Sequence, residues 1–424
     1  MKLAEKSIDL LVVSPGLPAF DRNSGGQRLY MMLQAWSQRY RVSFVSLSTE
    51  ADPQSARYAG ALSGLGIEIL SGQDTDPSEL AARVRGAVVF EFFRTAERHL
   101  RRIRIRRPDL PILVDSVDLH FVREFRAAVY GSRPDLARRR ASQTRRRELR
   151  VYGEADMVIT VTDDDGAALL REAPTVTVRV VSNIHDLSLK VPPFAARRAA
   201  SILFVGGFLH PPNADAVSMF CHEILPLVRQ RLPDANLTVV GHNPPSEIVR
   251  LAQAGVCVTG WVPDVRPYVD SHRVAIAPLR FGAGMKGKIG EALAAGLPVV
   301  TTPIGAEGMG LEDGRTALIA DSPASFAEAV VRLCTDAALH AHLSAWGQDH
   351  VQRHWSRPVV ERTLLVATDE LLKMRPKRIT LPSRLVVYAQ NIHRISWVER
   401  NLDRLKWRAI SYASRLRGKR RRTW

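Results

Sequence analysis

Between Phe281 and Gly308 the chain reads FGAGMKGKIGEALAAGLPVVTTPIGAEG, a block whose residue types suit a polyanion. Gly282, Gly284 and Gly287 let backbone N–H groups approach a phosphate closely. Met285 stands among them, and Lys286 and Lys288 supply positive charge. A helix predicted through Glu291–Ala295 would turn its positive end toward the same point. Gly296 and Pro298 stop that helix, and Leu297–Thr302 reads as a short buried parallel strand. The chemistry served by this order is binding of a pyrophosphate. A lone Gly-x-Gly would instead fit an ordinary helix start with two solvated lysines.

The block resembles the donor-site signature of the retaining glycosyltransferases with two Rossmann-like domains, the GT-B fold of glycosyltransferase family 4 (glycosyl transferases group 1). Members typically carry a glutamate, seven residues, a second glutamate, and then Ala-x-x-x-Gly-x-Pro-Val-Val. Glu291 matches the second glutamate, and residues 292–300 read ALAAGLPVV. The first glutamate is replaced by Ala283, at a position that in the family touches hydroxyls of the transferred sugar. The chain is closer to the branch with a G-A-G-x-K-x-K loop, which implies that Lys286, Lys288 and main-chain amides dominate phosphate binding. The resemblance extends over about residues 8–365, more strongly after Ser201 than before it.

It also implies roles elsewhere. Glu291 would take the ribose hydroxyls; by itself it reads equally as a first-turn carboxylate favoured by the helix dipole. Most members place an arginine and a lysine after the first strand of the second domain, where this chain has Gly206, Gly207, Phe208, Leu209 and His210. The amides of Gly206 and Gly207 would then assist the lysines, and His210 is either a phosphate or sugar contact or an exposed loop histidine. Ser24-Gly25-Gly26 resembles the glycine pair that closes over donor phosphates, and also reads as a helix cap with a flexible approach. His120 stands where relatives have a histidine facing the transferred sugar, with Arg123 one turn further on. Asp118, a possible cap for the same helix, joins Arg123, Asp21 and Glu91 as weaker candidates for acceptor contacts. The loop Gly260–Asp264 would border the base, and Trp261 within it is expected in the core.

Retention in this family does not use the two opposed carboxylates of many glycosidases. It is pictured as front-face attack in which the leaving diphosphate takes the acceptor's proton, so catalysis is positioning and charge stabilisation. Lys286, Lys288 and His120 are the candidates for that work. The expectation is metal-independent hexosyl transfer from a nucleotide sugar to a glycan or lipid-linked acceptor in cell-surface polysaccharide synthesis. A nucleotide-sugar epimerase would need acid–base carboxylates that the donor block lacks. The absent first glutamate and the absent Arg/Lys clamp suit a third reading, a non-catalytic nucleotide-sugar-binding partner of an assembly complex. Twelve histidines and three cysteines are scattered without ligand spacing, so neither a metal nor a cofactor is expected.

The elements that must hold these residues follow an alternating pattern. Apolar runs at Ile8–Ser14, Val42–Leu47, Ile67–Leu70, Ala87–Phe92 and Ile112–Asp115 are separated by helical stretches, which predicts a doubly wound parallel sheet. A second series starts at Ile202–Val205 and runs through Leu237–Val240, Val256–Thr259 and Val274–Pro278. The 424 residues therefore divide into a first Rossmann-like acceptor domain over 1–190 and a second, donor domain over 191–360. A crossover helix over 361–379 and a basic amphipathic tail over 380–424 complete the chain. A composition of 46% apolar residues is that of a globular protein.

Charge is concentrated at the end of the chain. From Arg375 to Trp424 fifteen Lys/Arg face Glu399 and Asp403, so this segment holds most of the net +17. Trp397, Trp407 and aliphatic residues interleave with its arginines in loosely helical spacing. This suits peripheral contact with an anionic membrane or, alternatively, a helix packed on a protein partner or on the body; the membrane is the preferred expectation. No nucleic-acid motif is present to support specific binding of DNA or RNA. No apolar stretch nears twenty residues, and Glu5 and Asp9 interrupt the first segment, so the expected location is cytoplasmic, at the inner face of the membrane.

Overall fold

The computed structural model describes residues 8–48, 54–71, 76–131, 133–253 and 255–378. The first apolar runs form a seven-stranded sheet: β1 (Ile8–Ser14), β2 (Val42–Ser46), β3 (Glu68–Ser71), β4 (Val84–Glu91), β5 (Ile112–Asp115), β6 (Met157–Thr160) and β7 (Val178–Val180). Its order is β3-β2-β1-β4-β5-β6-β7, with every pairing parallel. The second series forms a six-stranded sheet: β8 (Ser201–Val205), β9 (Asn236–Val240), β10 (Val256–Gly260), β11 (Val274–Ala277), β12 (Val299–Thr301) and β13 (Leu318–Ile319). Its order is β10-β9-β8-β11-β12-β13, again wholly parallel. The molecule is therefore two Rossmann-like α/β domains.

Parallel sheets are covered by helices on both faces, which is why their strands read as unbroken apolar runs. In β1, Leu11 and Val13 join the core on one face of the sheet while Leu10 and Val12 join that on the other. Strand order reverses between β1 and β4 in the first sheet and between β8 and β11 in the second. Crevices form beyond the carboxyl ends of strands at such reversals. The loops after β1, β4 and β5 and those after β8 and β11 are thereby gathered into position.

Past the second sheet, the helix Arg357–Lys373 packs on the first domain, with Val360, Leu364, Ala367 and Leu371 in its core. Trp36 Nε1 donates to Thr368 Oγ1 at 2.9 Å, and Tyr40 Oη donates to Asp369 at 2.6 Å. The expected tail over 380–424 lies outside the described residues. No helix among the described residues is long and apolar enough to cross a membrane.

Several local expectations change. The helical stretch between β8 and β9 is split into Pro211–Met219 and Leu225–Arg231 by a π-turn at Phe220–Ile224, ahead of Pro226, which has no N–H to continue the ladder. The donor-block helix spans Gly287–Ala294, so Lys288 rides its first turn instead of the loop before it. Trp261 is 41% exposed and not in the core, because the turn after β10 carries it outward. Of the three cysteines only Cys334 is buried; Cys221 is half-buried and Cys257 exposed.

Candidate active site

The donor block lies beyond β11 and leads into the helix Gly287–Ala294. Lys288 and Glu291 are three residues apart on this helix and share a face. The Lys288 ammonium donates to Asn213 Oδ1 and lies 4.4 Å from the centre of the Phe204 ring. Asn213 in turn donates from Nδ2 to Gly207 O at 2.7 Å, so one side chain ties the loop after β8 to this lysine. A Cβ on Gly206 would meet Asn213 at 2.8 Å and Lys288 Nζ at 3.0 Å; only glycine leaves the room. Burial lowers the affinity of Lys288 for its proton against the opposing charge of Glu291. The same burial raises the Glu291 carboxyl, with Lys288 opposing. An anion arriving here would restore full charge to the lysine.

Lys286 does not join Lys288. It caps the start of the helix, its side chain is buried, and its Nζ donates to Glu307 O at 3.2 Å. Burial pulls its pKa down to about 8, opposed by Glu307 and Asp165. Its neighbours line a cavity of about 210 Å³ between the domains, bounded by Arg126, Thr162, Asp164, Asp165, Arg171, Gly284 and Glu307. Each expected lysine therefore has its own surroundings.

The first domain approaches closely. Ser24 Cβ would stand 2.7 Å from a Cβ on Gly287, so the Ser24–Gly26 segment abuts the start of the donor helix. The Gly26 amide is already spent, donating to Asn23 Oδ1 at 2.7 Å. Gly284, at φ +71°, lies against Val117 and Asp118, which a Cβ would contact at 2.9–3.0 Å. Arg126 donates to Gly282 O at 2.8 Å and forks onto Glu307 at 2.5 and 2.7 Å. Met285 accepts from Asn183 N at 3.4 Å, a contact between the domains and not an open ligand position.

His120 opens the helix His120–Ala127. The N-cap is Leu119, and Asp118 does not cap it. Glu148, from the helix Pro134–Glu154, supplies the missing acceptor: it receives His120 N at 3.1 Å, Phe121 N at 2.9 Å and Tyr152 Oη at 2.8 Å. His120 Nδ1 faces Asp118 at 3.2 Å and Glu148 at 3.9 Å, without hydrogen-bond alignment. Burial and then the Arg94 charge push the imidazole down to about 4, so it is neutral. Asp118 is engaged by Arg123. His210 extends from the loop after β8 and is exposed, as the loop-histidine alternative has it. Partial desolvation, followed by repulsion from Arg123, Lys288 and His120, still lowers its pKa and keeps it neutral. That mutual influence brings together two residues of each domain.

Two candidates stand apart. Asp21 is held by Tyr58 Oη and Arg57, each at 2.6 Å, so its carboxylate is already used. Glu91 is buried at the end of β4, where it accepts from Ser14 Oγ at 2.5 Å. Burial, reinforced by Asp115, pushes its carboxyl up to about 8. Neither extends into the crevice as an open acceptor contact. Sequence reasoning missed Asn213, Glu148, Asp165, Arg126 and Glu307. A polar residue on the first turn after Pro211-Pro212 was the one signal for Asn213; the others act through tertiary contacts.

Comparison with known proteins bears on the second domain and on the fold. Residues 199–336, from just before β8 to beyond β13, match the family model described as glycosyl transferases group 1. An uncharacterised 44.6 kDa protein of the cps region of Klebsiella pneumoniae is 28% identical over 140 residues, 31% of this chain. The aligned part spans only 36% of that relative. Among solved structures, sucrose-phosphate synthase from Thermosynechococcus elongatus superposes with a TM-score of 0.66 at 15% identity, covering 86% of this chain and 99% of that one. Anabaena HepE, solved with UDP and glucose, gives 0.63 at 12% identity, covering 86% and 100%. At these identities the likeness is one of fold: the GT-B arrangement of two Rossmann-like domains.

Proposed function

We propose that the protein transfers a glycosyl group, with retention, from a nucleotide sugar to a glycan or lipid-linked acceptor in cell-surface polysaccharide synthesis. The observation that carries this reading is the convergence of Lys288, Glu291, Gly206, Gly207 and His210 beyond the strand ends of the second domain, opposite His120 and Arg123 of the first. The group 1 match over 199–336 supports glycosyl transfer, HepE solved with UDP and glucose supports a nucleotide-sugar donor, and the cps-region relative supports the polysaccharide context.

In this reading the diphosphate lies against Lys288, the glycine loop after β8 and the first amides of the helix Gly287–Ala294. As the glycosidic bond breaks, negative charge grows on the leaving diphosphate, and Lys288 stabilises it from a half-buried position where the interaction is strong. Glu291 takes the ribose hydroxyls. Neutral His120 and His210 hydrogen-bond the sugar and the acceptor without adding charge, and Arg123 holds the acceptor side. The basic tail over 380–424 is assigned to an anionic membrane surface on its sequence alone, consistent with a lipid-linked acceptor at the inner face of the membrane.

The test is a panel of UDP-, GDP-, dTDP- and ADP-sugars incubated with the pure protein and with lipid extract from its source. Release of one nucleoside diphosphate, stimulated by the extract, is expected. Binding of a nucleotide sugar with no turnover under either condition would leave the non-catalytic partner as the better reading.

A further inference from the structure

The cavity of about 210 Å³ beside Lys286 has a composition that a diphosphate does not match. Its wall holds three cations, Arg126, Arg171 and Lys286, and three acids, Asp164, Asp165 and Glu307. The fork of Arg126 is already occupied by Glu307. A diphosphate placed here would meet carboxylates as often as free cations and would lose its hydration shell without compensation. Beside Lys288 the situation is different, since the neighbours there are Asn213, Phe204 and the glycine loop.

What the wall does offer is unfilled hydrogen-bonding capacity of both signs. Lys286 Nζ has three protons and one acceptor, Glu307 O. Asp165 accepts from Thr162 Oγ1 at 2.7 Å and from Gly284 N at 3.4 Å, which leaves half of the lone-pair sites on its carboxylate. Both side chains are more than nine-tenths buried. Val122 and Ala168 add an apolar floor. A space of about 210 Å³ is of the order of one sugar ring and too small for a chain.

We propose that this cavity is a subsite for a neutral, hydroxyl-rich sugar ring, with Lys286 and Asp165 as its principal donor and acceptor. Paired charges that cancel while keeping donors and acceptors side by side recognise vicinal hydroxyls and reject anions. The ring has two possible sources, the glycosyl group of the donor or the terminal residue of the acceptor. The inference rests on the reading of the crevice as a glycosyl-transfer site. It moves Lys286 from the phosphate to the sugar, and it supplies polar contacts that Ala283 cannot.

The test uses the full chain and its Asp165→Asn and Arg171→Ala variants in calorimetric titrations. The probes are UDP, GDP, dTDP and ADP, the glucose, galactose, mannose and N-acetylglucosamine conjugates of whichever diphosphate binds, and methyl glycosides of the same sugars with that diphosphate present. Both variants are expected to hold the diphosphate within twofold of the parent. Asp165→Asn should bind a nucleotide sugar (donor source) or a methyl glycoside (acceptor source) at least tenfold more weakly. Arg171→Ala, at an exposed position that cannot unfold the domain, should shift the same ligand in the same direction by a smaller factor. Equal weakening of diphosphate and sugar ligands, or no change in any sugar ligand, would overturn the subsite. Failure of every diphosphate to bind the parent protein would remove the glycosyl-transfer reading itself, and the subsite with it.

Discussion

The Glu148 carboxylate receives the backbone N–H of His120 at 3.1 Å, across a sequence separation of 28 residues. A helix otherwise dense in arginine thus contributes one buried acid to fix the first turn of the helix that carries the crevice histidine. Replacing Glu148 by Gln leaves one of its three donors without an acceptor. We expect a stability loss of about 1–3 kcal/mol. Turnover of the nucleotide sugar should fall about tenfold to a hundredfold through misplacement of His120, with donor affinity unchanged. Adding His120→Ala should cost nothing further. Unfolding curves and a kinetic double-mutant cycle test this, and additive losses would separate the two residues.

Arg28 is buried and makes two bonds to Asp115, at 3.0 and 3.1 Å, and one to Val181 O at 2.7 Å. This joins the helix Ser24–Ser37 to the end of β5 and to the segment leading into Asn183. Arg28→Ala strands a buried carboxylate, and the expected cost is about 3–5 kcal/mol. Chemical denaturation measures it; a loss below 1 kcal/mol would show that Asp115 finds another partner or water.

Arg126 and Glu307 join the two domains through side chains that are each about one-third exposed. Their pairing contributes only about 0.5–1 kcal/mol and is screened by salt. Glu307→Gln should therefore leave the melting temperature almost unchanged. It should also enlarge the radius of gyration measured by small-angle scattering at low salt, toward the value of the parent in 1 M salt. A variant as compact as the parent at both salt concentrations would exclude this pair as a closure contact.

Glu91 has a folded-state pKa pushed up to about 8, above its value of 4.5 in an unfolded chain. Between those values the folded form binds the additional proton, so this residue's contribution to stability is complete below pH 4.5 and is lost as pH rises through 8. Glu91→Gln removes the ionisation. The variant should gain on the parent steadily from pH 5 to pH 8, by at least about 1.4 kcal/mol, the equivalent of one tenfold change in protonation. A difference independent of pH would contradict this.

The fold was legible because parallel strands buried on both faces leave unbroken apolar runs such as Leu10–Val13, which no amphipathic helix would show. The donor block was legible for a different reason: glycines, a lysine and a glutamate within eleven residues act through local backbone geometry. What spacing could not reveal was direction. Lys286 and Lys288 are two residues apart, yet the helix starts between them, so one ammonium goes to Asn213 and the other to Glu307 O. Tertiary contacts, such as Glu148 with His120 inside the first domain and Arg126 with Glu307 across the crevice, join residues 28 and 181 positions apart and carry no local pattern. Asp21 and Glu91 were plausible as acids at strand ends, but Arg57, Tyr58 and Ser14 had already claimed them.

The account depends on Lys288 meeting a nucleoside diphosphate. Titration of the parent and of Lys288→Met with the diphosphate selected by the panel, at constant salt, tests this most directly. The account predicts saturable binding by the parent and a loss of about 1–3 kcal/mol in the variant. Lys286→Met, by contrast, should bind that diphosphate almost as the parent does. Equal affinity of parent and Lys288→Met, or a loss confined to Lys286→Met, would contradict it.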